Sequence, residues 1–128
     1  MTPGFERTLL VAAGGVVGCV ARYWLDGTVQ RLVGPGFPAG TLVVNIVGSL
    51  VIGLVMTLSI ERGLLEDNLR ILLTTGFCGG FTTMSTFSFE TVALVREGEQ
   101  LLAFGNVAGT LIACLSAVWV GSVLGRSL

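Results

Sequence analysis

The sequence predicts an all-α membrane protein of four transmembrane helices with a break in the third, and three observations carry that prediction. Of 128 residues, 52% are hydrophobic and only 12% charged, with a mean hydropathy of +0.88, which is too much apolar surface for a soluble domain of this size to hide. Four stretches poor in charge are separated by short polar or glycine- and proline-containing connections, and each is near the roughly 20 residues that cross about 30 Å of hydrocarbon as a helix. Within the third stretch, uncharged from Ile71 to Phe89, lies the run Gly76-Phe77-Cys78-Gly79-Gly80-Phe81-Thr82-Thr83-Met84-Ser85-Thr86-Phe87-Ser88-Phe89-Glu90. Paired glycines followed by five hydroxyl residues weaken a helix by offering its backbone other partners.

The expected helices form one domain and cover about residues 5–32, 40–60, 69–96 and 101–125. The first carries Gly14, Gly15 and Gly18, which permit close helix contact, and then Arg22, Tyr23 and Trp24. An arginine beside two amphipathic aromatics reads as an interfacial end, its guanidinium directed at headgroups or a vestibule. Gly34-Pro35-Gly36-Phe37-Pro38-Ala39-Gly40 then breaks the helix. The second stretch has no charge but places Thr41, Asn45, Gly48 and Ser49 on one helical face. Asn45 reads either as an interhelical hydrogen-bonding residue or as a ligand for something polar.

Glu61, Arg62, Glu66, Asp67 and Arg70 make a short, solvated connection to the third stretch. For that stretch two readings stand. Gly76 and Gly80 can simply admit a neighbouring helix, or the helix breaks near 79–83, where freed carbonyls suit a small cation and freed amides and hydroxyls an anion. After the turn Arg96-Glu97-Gly98-Glu99, the fourth stretch repeats Asn106, Thr110 and Cys114 every four residues. Such a polar stripe must face protein or water. Gly105 with Gly109, and Gly121 with Gly125, repeat the small-residue spacing.

Counted by side across four spans, Arg7, Arg62, Arg70 and Arg126 oppose Arg22, Arg31 and Arg96. Four against three scarcely specifies an orientation, so the chain can insert both ways and opposed copies can pair about an axis in the membrane plane. Four helices pack solid, so a route for an ion would run along an interface.

The composition excludes several classes. A net charge of −1 with no basic block argues against nucleic acid. There is no histidine, and Cys19, Cys78 and Cys114 are scattered singly, which removes the usual metal, disulfide and general-base chemistry. No catalytic constellation or phosphate-cradling loop is present, so the protein is not expected to be an enzyme. With no histidine, and no carboxylate deep in the spans to relay protons, coupled antiport is not expected either. The polar groups that remain are uncharged donors: Thr41, Asn45, Ser85, Thr86, Ser88, Asn106 and Thr110. Neutral donors can replace the water shell of a small anion without trapping it. The rings of Phe77, Phe87 and Phe89 either pack or present positive edges to such an ion.

Positions 76–88 closely resemble the signature of the Fluc fluoride channels, also called CrcB-type proteins, and Gly14-Gly15 to Arg22-Tyr23, Gly40-Thr41-Leu42, Val44-Asn45 and Gly48-Ser49 resemble the family's other marks in the same order. The resemblance covers essentially the whole chain. It implies a passive fluoride channel of a bacterial or archaeal-type inner membrane: an antiparallel, dual-topology homodimer with two pores and a central structural sodium ion. Carried onto this chain, Asn45 is the pore asparagine with Thr41 one turn away, and Phe87 the second of two pore phenylalanines. Ser85 and Thr86 belong to the hydroxyl track, and Thr110 is the fourth-helix hydroxyl. Gly79 and Thr82 give sodium their backbone carbonyls, Arg22 is the vestibule arginine, and Glu90 an acidic residue after the motif. One position departs, since Met84 stands where the family has its first pore phenylalanine. Two alternatives are a small dual-topology multidrug or cation transporter, which wants a carboxylate deep in the first span, where 8–21 has none, and a non-transporting scaffold, which leaves the polar stripes unexplained.

Overall fold

The structure, a computed structural model, describes residues 4–128, and among these no strand forms. Six α-helices follow one another: α1 Phe5–Val33, α2 Ala39–Met56, α3 Asp67–Ile71, α4 Gly79–Phe81, α5 Met84–Arg96 and α6 Gln100–Ser127. Wider π-helical turns, Thr57–Glu61 and Leu72–Cys78, prolong α2 and join α3 to α4. Among the described residues, three helices are long and apolar enough to cross a membrane: Phe5–Val33, Ala39–Glu61 and Gln100–Ser127. The pieces between 67 and 96 form the remaining helical part of the chain.

The turn between α1 and α2 uses Gly34 and Gly36 at φ +90° and +110°, the left-handed region that side chains disfavour. Gln30 holds it: its Nε2 donates to the carbonyls of Gly34 and Phe37, both at 2.9 Å, and its Oε1 accepts from Gly40 N at 3.1 Å. One side chain thereby replaces the bonds lost at a helix end and the next helix start.

α2 lies along α6 and α1 along the 72–78 segment, both at backbone distance. A Cβ at Gly53 would collide with the Val118 carbonyl, and one at Gly121 with the Leu50 carbonyl while standing 2.8 Å from Leu54 N. A Cβ at Gly14 would meet Leu72 O, and one at Gly80 would stand 2.6 Å from Gly15 O. Burying small residues this way brings helices close enough for dispersion to hold them where lipid gives no hydrophobic drive. Gly121→Ala should therefore force the α2–α6 pair apart and cost about 1–3 kcal/mol. Gly27→Ala is the internal control, because its Cβ would find only the flexible Arg31 Nη1 at 3.5 Å and should be neutral or stabilising by up to about 1 kcal/mol. Unfolding in mild detergent checks both; equal stabilities would contradict this packing. Gly105 and Gly109 differ from Gly121 and Gly125: a Cβ at either meets nothing within 4 Å.

Within the expected stretch 79–83, Gly79 to Phe81 are helical, and Thr82 (φ −90°, ψ 161°) and Thr83 (φ −151°, ψ 120°) are extended. Gly76 and Gly80 instead admit α1, so the close-approach reading holds for them. The connection after α2 is exposed, and it is tied to the end of α6. Arg62 donates to the carbonyls of Gly125, Arg126 and Leu128 at 3.3, 2.7 and 2.8 Å, and Arg126 returns a two-pronged pair to Glu61 at 2.8 and 3.1 Å. A guanidinium on the last carbonyls of α6 satisfies orphan acceptors and complements the helix dipole.

Candidate functional site

The polar centre of the molecule is built on three hydrogen bonds that an unbroken helix would have made differently. In a continuous ladder the Thr83 N–H would reach Gly79 O, Met84 N–H would reach Gly80 O, and Thr86 N–H would reach Thr82 O. Here Thr83 N donates to Asn45 Oδ1 at 2.9 Å, and Asn45 Nδ2 donates to Thr83 O at 3.0 Å. The amide of α2 thus grips both backbone groups of one extended residue, as a neighbouring strand would. Gly80 O accepts from Arg22 Nε at 3.0 Å. Thr86 N donates to Thr83 Oγ1 at 3.1 Å, making Thr83 the N-cap of α5 and satisfying one of its orphan donors.

These substitutions release the carbonyls of Gly79 and Thr82 from the ladder. Arg22 lies inside α1. Its guanidinium commits Nε to the break, 58 residues away in sequence. Thr82 keeps its hydroxyl proton on Cys78 O at 2.9 Å, and its methyl fills the space left by Gly48, where a Cβ would collide with it.

An open groove of about 420 Å³ runs past this centre. It brings together Asn45, Gly79, Thr82, Met84, Phe87 and Thr110 of the sequence-derived set, along with Ser49, Thr74, Thr83, Cys78 and Cys114. No lining residue is charged. Phe87 is 8% exposed, whereas Met84 is 71% exposed at the outer edge. Asn45 retains one Nδ2–H beyond its bond to Thr83, because the amide carries two.

Besides Arg22, three members of the set fall elsewhere. Ser85 is exposed, 3.4 Å from Thr83 Oγ1. Thr86 contributes its backbone N–H to the cap. Thr41, 3% exposed, lies one turn from Asn45 outside the groove, and its Oγ1 is buried. Next to it is Glu90, whose Oε1 is likewise buried. Glu90 also opens onto a second cleft, of about 470 Å³, with Tyr23, Asp26, Gln30, Phe89 and Glu97.

Sequence reasoning passed over Thr83, although a hydroxyl residue directly before a helical run is an N-cap signal. It passed over Thr91 and gave Asn106 no place in the site. Asn106 Nδ2 donates to Thr91 Oγ1 at 2.9 Å, a contact that no local pattern announces.

Comparison with known proteins gives one family. The model described as "CrcB-like protein, Camphor Resistance (CrcB)" matches residues 9–122. A protein of Geobacter sp. (strain M21) named fluoride-specific ion channel FluC is 45% identical over 123 residues, 96% of this chain and 99% of its own length. Its namesakes in Geobacter sulfurreducens and Pelobacter propionicus are 48% and 44% identical, covering 94% and 100% of this chain and 97% and 96% of theirs.

Proposed function

Since the chain belongs to the CrcB-like family, whose members compared here are named as ion channels and not enzymes, we propose that it is a passive, fluoride-selective channel that lets fluoride leave the cell. It is a multi-pass protein of a bacterial-type inner membrane. The observation that carries the proposal is the groove at Thr82–Thr83: a desolvating surface with no charged residue, where Asn45, Phe87 and Thr110 converge. Fluoride holds its water tightly, so a path for it needs replacement donors at close quarters. Neutral donors supply these without holding the ion as an arginine would.

In this reading the pieces from 67 to 96 make one discontinuous crossing, the third of four. Extended backbone at membrane depth is tolerable because Asn45, Arg22 and the groove satisfy it. The ion meets the spare Nδ2–H of Asn45 and the edge of Phe87, with Thr110 opposite. One turn farther along α2 and α5, Thr41 stands beside Glu90, which opens onto the acidic cleft. Ser85 and Thr86 belong to the outer part of the route, and Arg22 steadies its wall.

The working unit is an antiparallel homodimer with two pores, each groove closed by the second copy. The faces of α1 and α6 that carry exposed Val16, Val17, Leu111 and Leu115 are apolar enough for lipid or for that copy. The released carbonyls of Gly79 and Thr82 are hard, neutral oxygens of the kind a sodium ion accepts, and two copies about a twofold axis would offer four. Bound there, sodium would supply a fixed positive charge that holds the two chains in register.

Purified protein in liposomes tests the function. Fluoride should leave as soon as a potassium ionophore relieves the charge, with no proton or sodium gradient. Efflux that requires a counter-gradient, or none at all, refutes the channel. Met84→Phe restores a ring at the groove edge. An aromatic edge contributes about 0.5–1.5 kcal/mol, so the methionine protein should conduct within about tenfold of the phenylalanine form. A silent methionine form beside an active phenylalanine form would contradict this.

A further inference from the structure

Asn106 has no place in the proposed pore, yet it is among the most deeply enclosed side chains of the chain, 2% exposed. An amide so enclosed in an apolar helix is costly unless both of its ends are bonded, and both are. Its Nδ2 donates to Thr91 Oγ1 at 2.9 Å, and its Oδ1 accepts from Thr110 Oγ1 at 3.4 Å. Thr91 in turn gives its single hydroxyl proton to Phe87 O at 2.7 Å. The result is a one-directional chain, Thr110 to Asn106 to Thr91 to the backbone of Phe87.

The two ends of that chain are both groove-lining residues, one on α6 and one on α5. α5 also leans chiefly on α6, with little contact to α2, so few other interactions fix its rotation. A polar bond within an apolar helix pair selects one register where packing alone would allow several. The chain sets a second property as well. With its proton directed at Asn106, Thr110 offers lone pairs to the groove, and it becomes a donor only by turning away from a bond that is long, 3.4 Å, and correspondingly weak.

We propose that Asn106 is a positioning residue: it pins α5 against α6 so that Phe87 faces the groove, and it holds the Thr110 hydroxyl in a state from which it can turn to an arriving anion. The proposal rests on the fluoride reading for its effect on transport, but the pinning of α5 does not.

Asn106→Leu removes both bonds, Thr91→Val removes the link to α5 with little change in shape, and Thr91→Ser keeps the hydroxyl. Fluoride efflux should slow about tenfold in Asn106→Leu and Thr91→Val, the scale of losing one interhelical hydrogen bond in a membrane. Thr91→Ser should match the parent. The double variant Asn106→Leu/Thr91→Val should be no slower than Asn106→Leu, because the two residues act through one chain. Amide hydrogen exchange should quicken across 84–96 and stay unchanged in α2, which a general loss of stability would not produce. Parental efflux and exchange in Thr91→Val would overturn the proposal, as would fully additive effects in the double variant. Should Asn106→Leu fail to fold, Thr91→Val alone decides by the same measures. Should the parent not conduct fluoride, the function fails and the exchange data decide the pin: quickening confined to 84–96 supports it, and no change refutes it.

Discussion

Asn45→Asp should abolish fluoride transport, lowering efflux at least about 100-fold, or about 2.7 kcal/mol of barrier. The change is nearly isosteric, and the carboxylate could still accept from Thr83 N, as Oδ1 does at 2.9 Å. The second oxygen, however, would stand where Nδ2 now donates to Thr83 O at 3.0 Å, facing a carbonyl with no proton between them. The spare N–H proposed to meet the ion is lost, and a negative charge is placed in a groove that has none. Asn45→Leu separates these effects: it adds no charge but leaves both backbone groups of Thr83 unpaired, at about 1–3 kcal/mol for each buried group. It should be less stable than the parent as well as inactive. Efflux from liposomes and unfolding in detergent, measured on both variants, check the pair. An aspartate variant conducting at the parental rate would remove Asn45 from the pore.

Arg22→Met should be the second severe change. The guanidinium holds Gly80 O at 3.0 Å from the other side of the break, and a hydrogen bond to a charged group contributes about 1.5–3 kcal/mol. Methionine preserves the apolar stem but leaves that carbonyl without its donor. Arg22→Lys has the charge but not the planar fork, so it should recover only part of the loss. Thermal unfolding followed by helix content measures the order parent, lysine, methionine. Equal midpoints for parent and methionine would show that Arg22 serves only the surface.

Much of the architecture was readable from chemistry that acts along the chain. Hydropathy marks the long helices because lipid imposes length and composition on each one separately. Gly34 and Gly36 mark the first turn, and both adopt the positive φ that only glycine takes easily. The run of glycines and hydroxyls marks 79–83 as weak helix. Within it Gly79 and Gly80 stay helical, Gly80 packed against α1, and the extended backbone is confined to Thr82 and Thr83. Tertiary contact here outweighs intrinsic preference.

What the sequence could not supply were partners distant along the chain. Asn45 reaches Thr83 across 38 residues, Arg22 reaches Gly80 across 58, and Arg126 reaches Glu61 across 65. Nothing local in Asn45 distinguishes an amide that grips backbone from one that bonds a neighbouring side chain. Nor does Thr41 reveal in sequence that its hydroxyl is buried beside Glu90. Such features arise only when helices are set side by side.

The most direct measurement is the reversal potential of the purified protein in a planar bilayer with fluoride on one side and chloride on the other. A groove of neutral donors fitted to a small, strongly hydrated anion predicts a current that reverses near the fluoride equilibrium potential and vanishes when fluoride is withdrawn from both sides. A current that reverses near the chloride or cation potential, or no current from protein shown to be folded, would contradict the account.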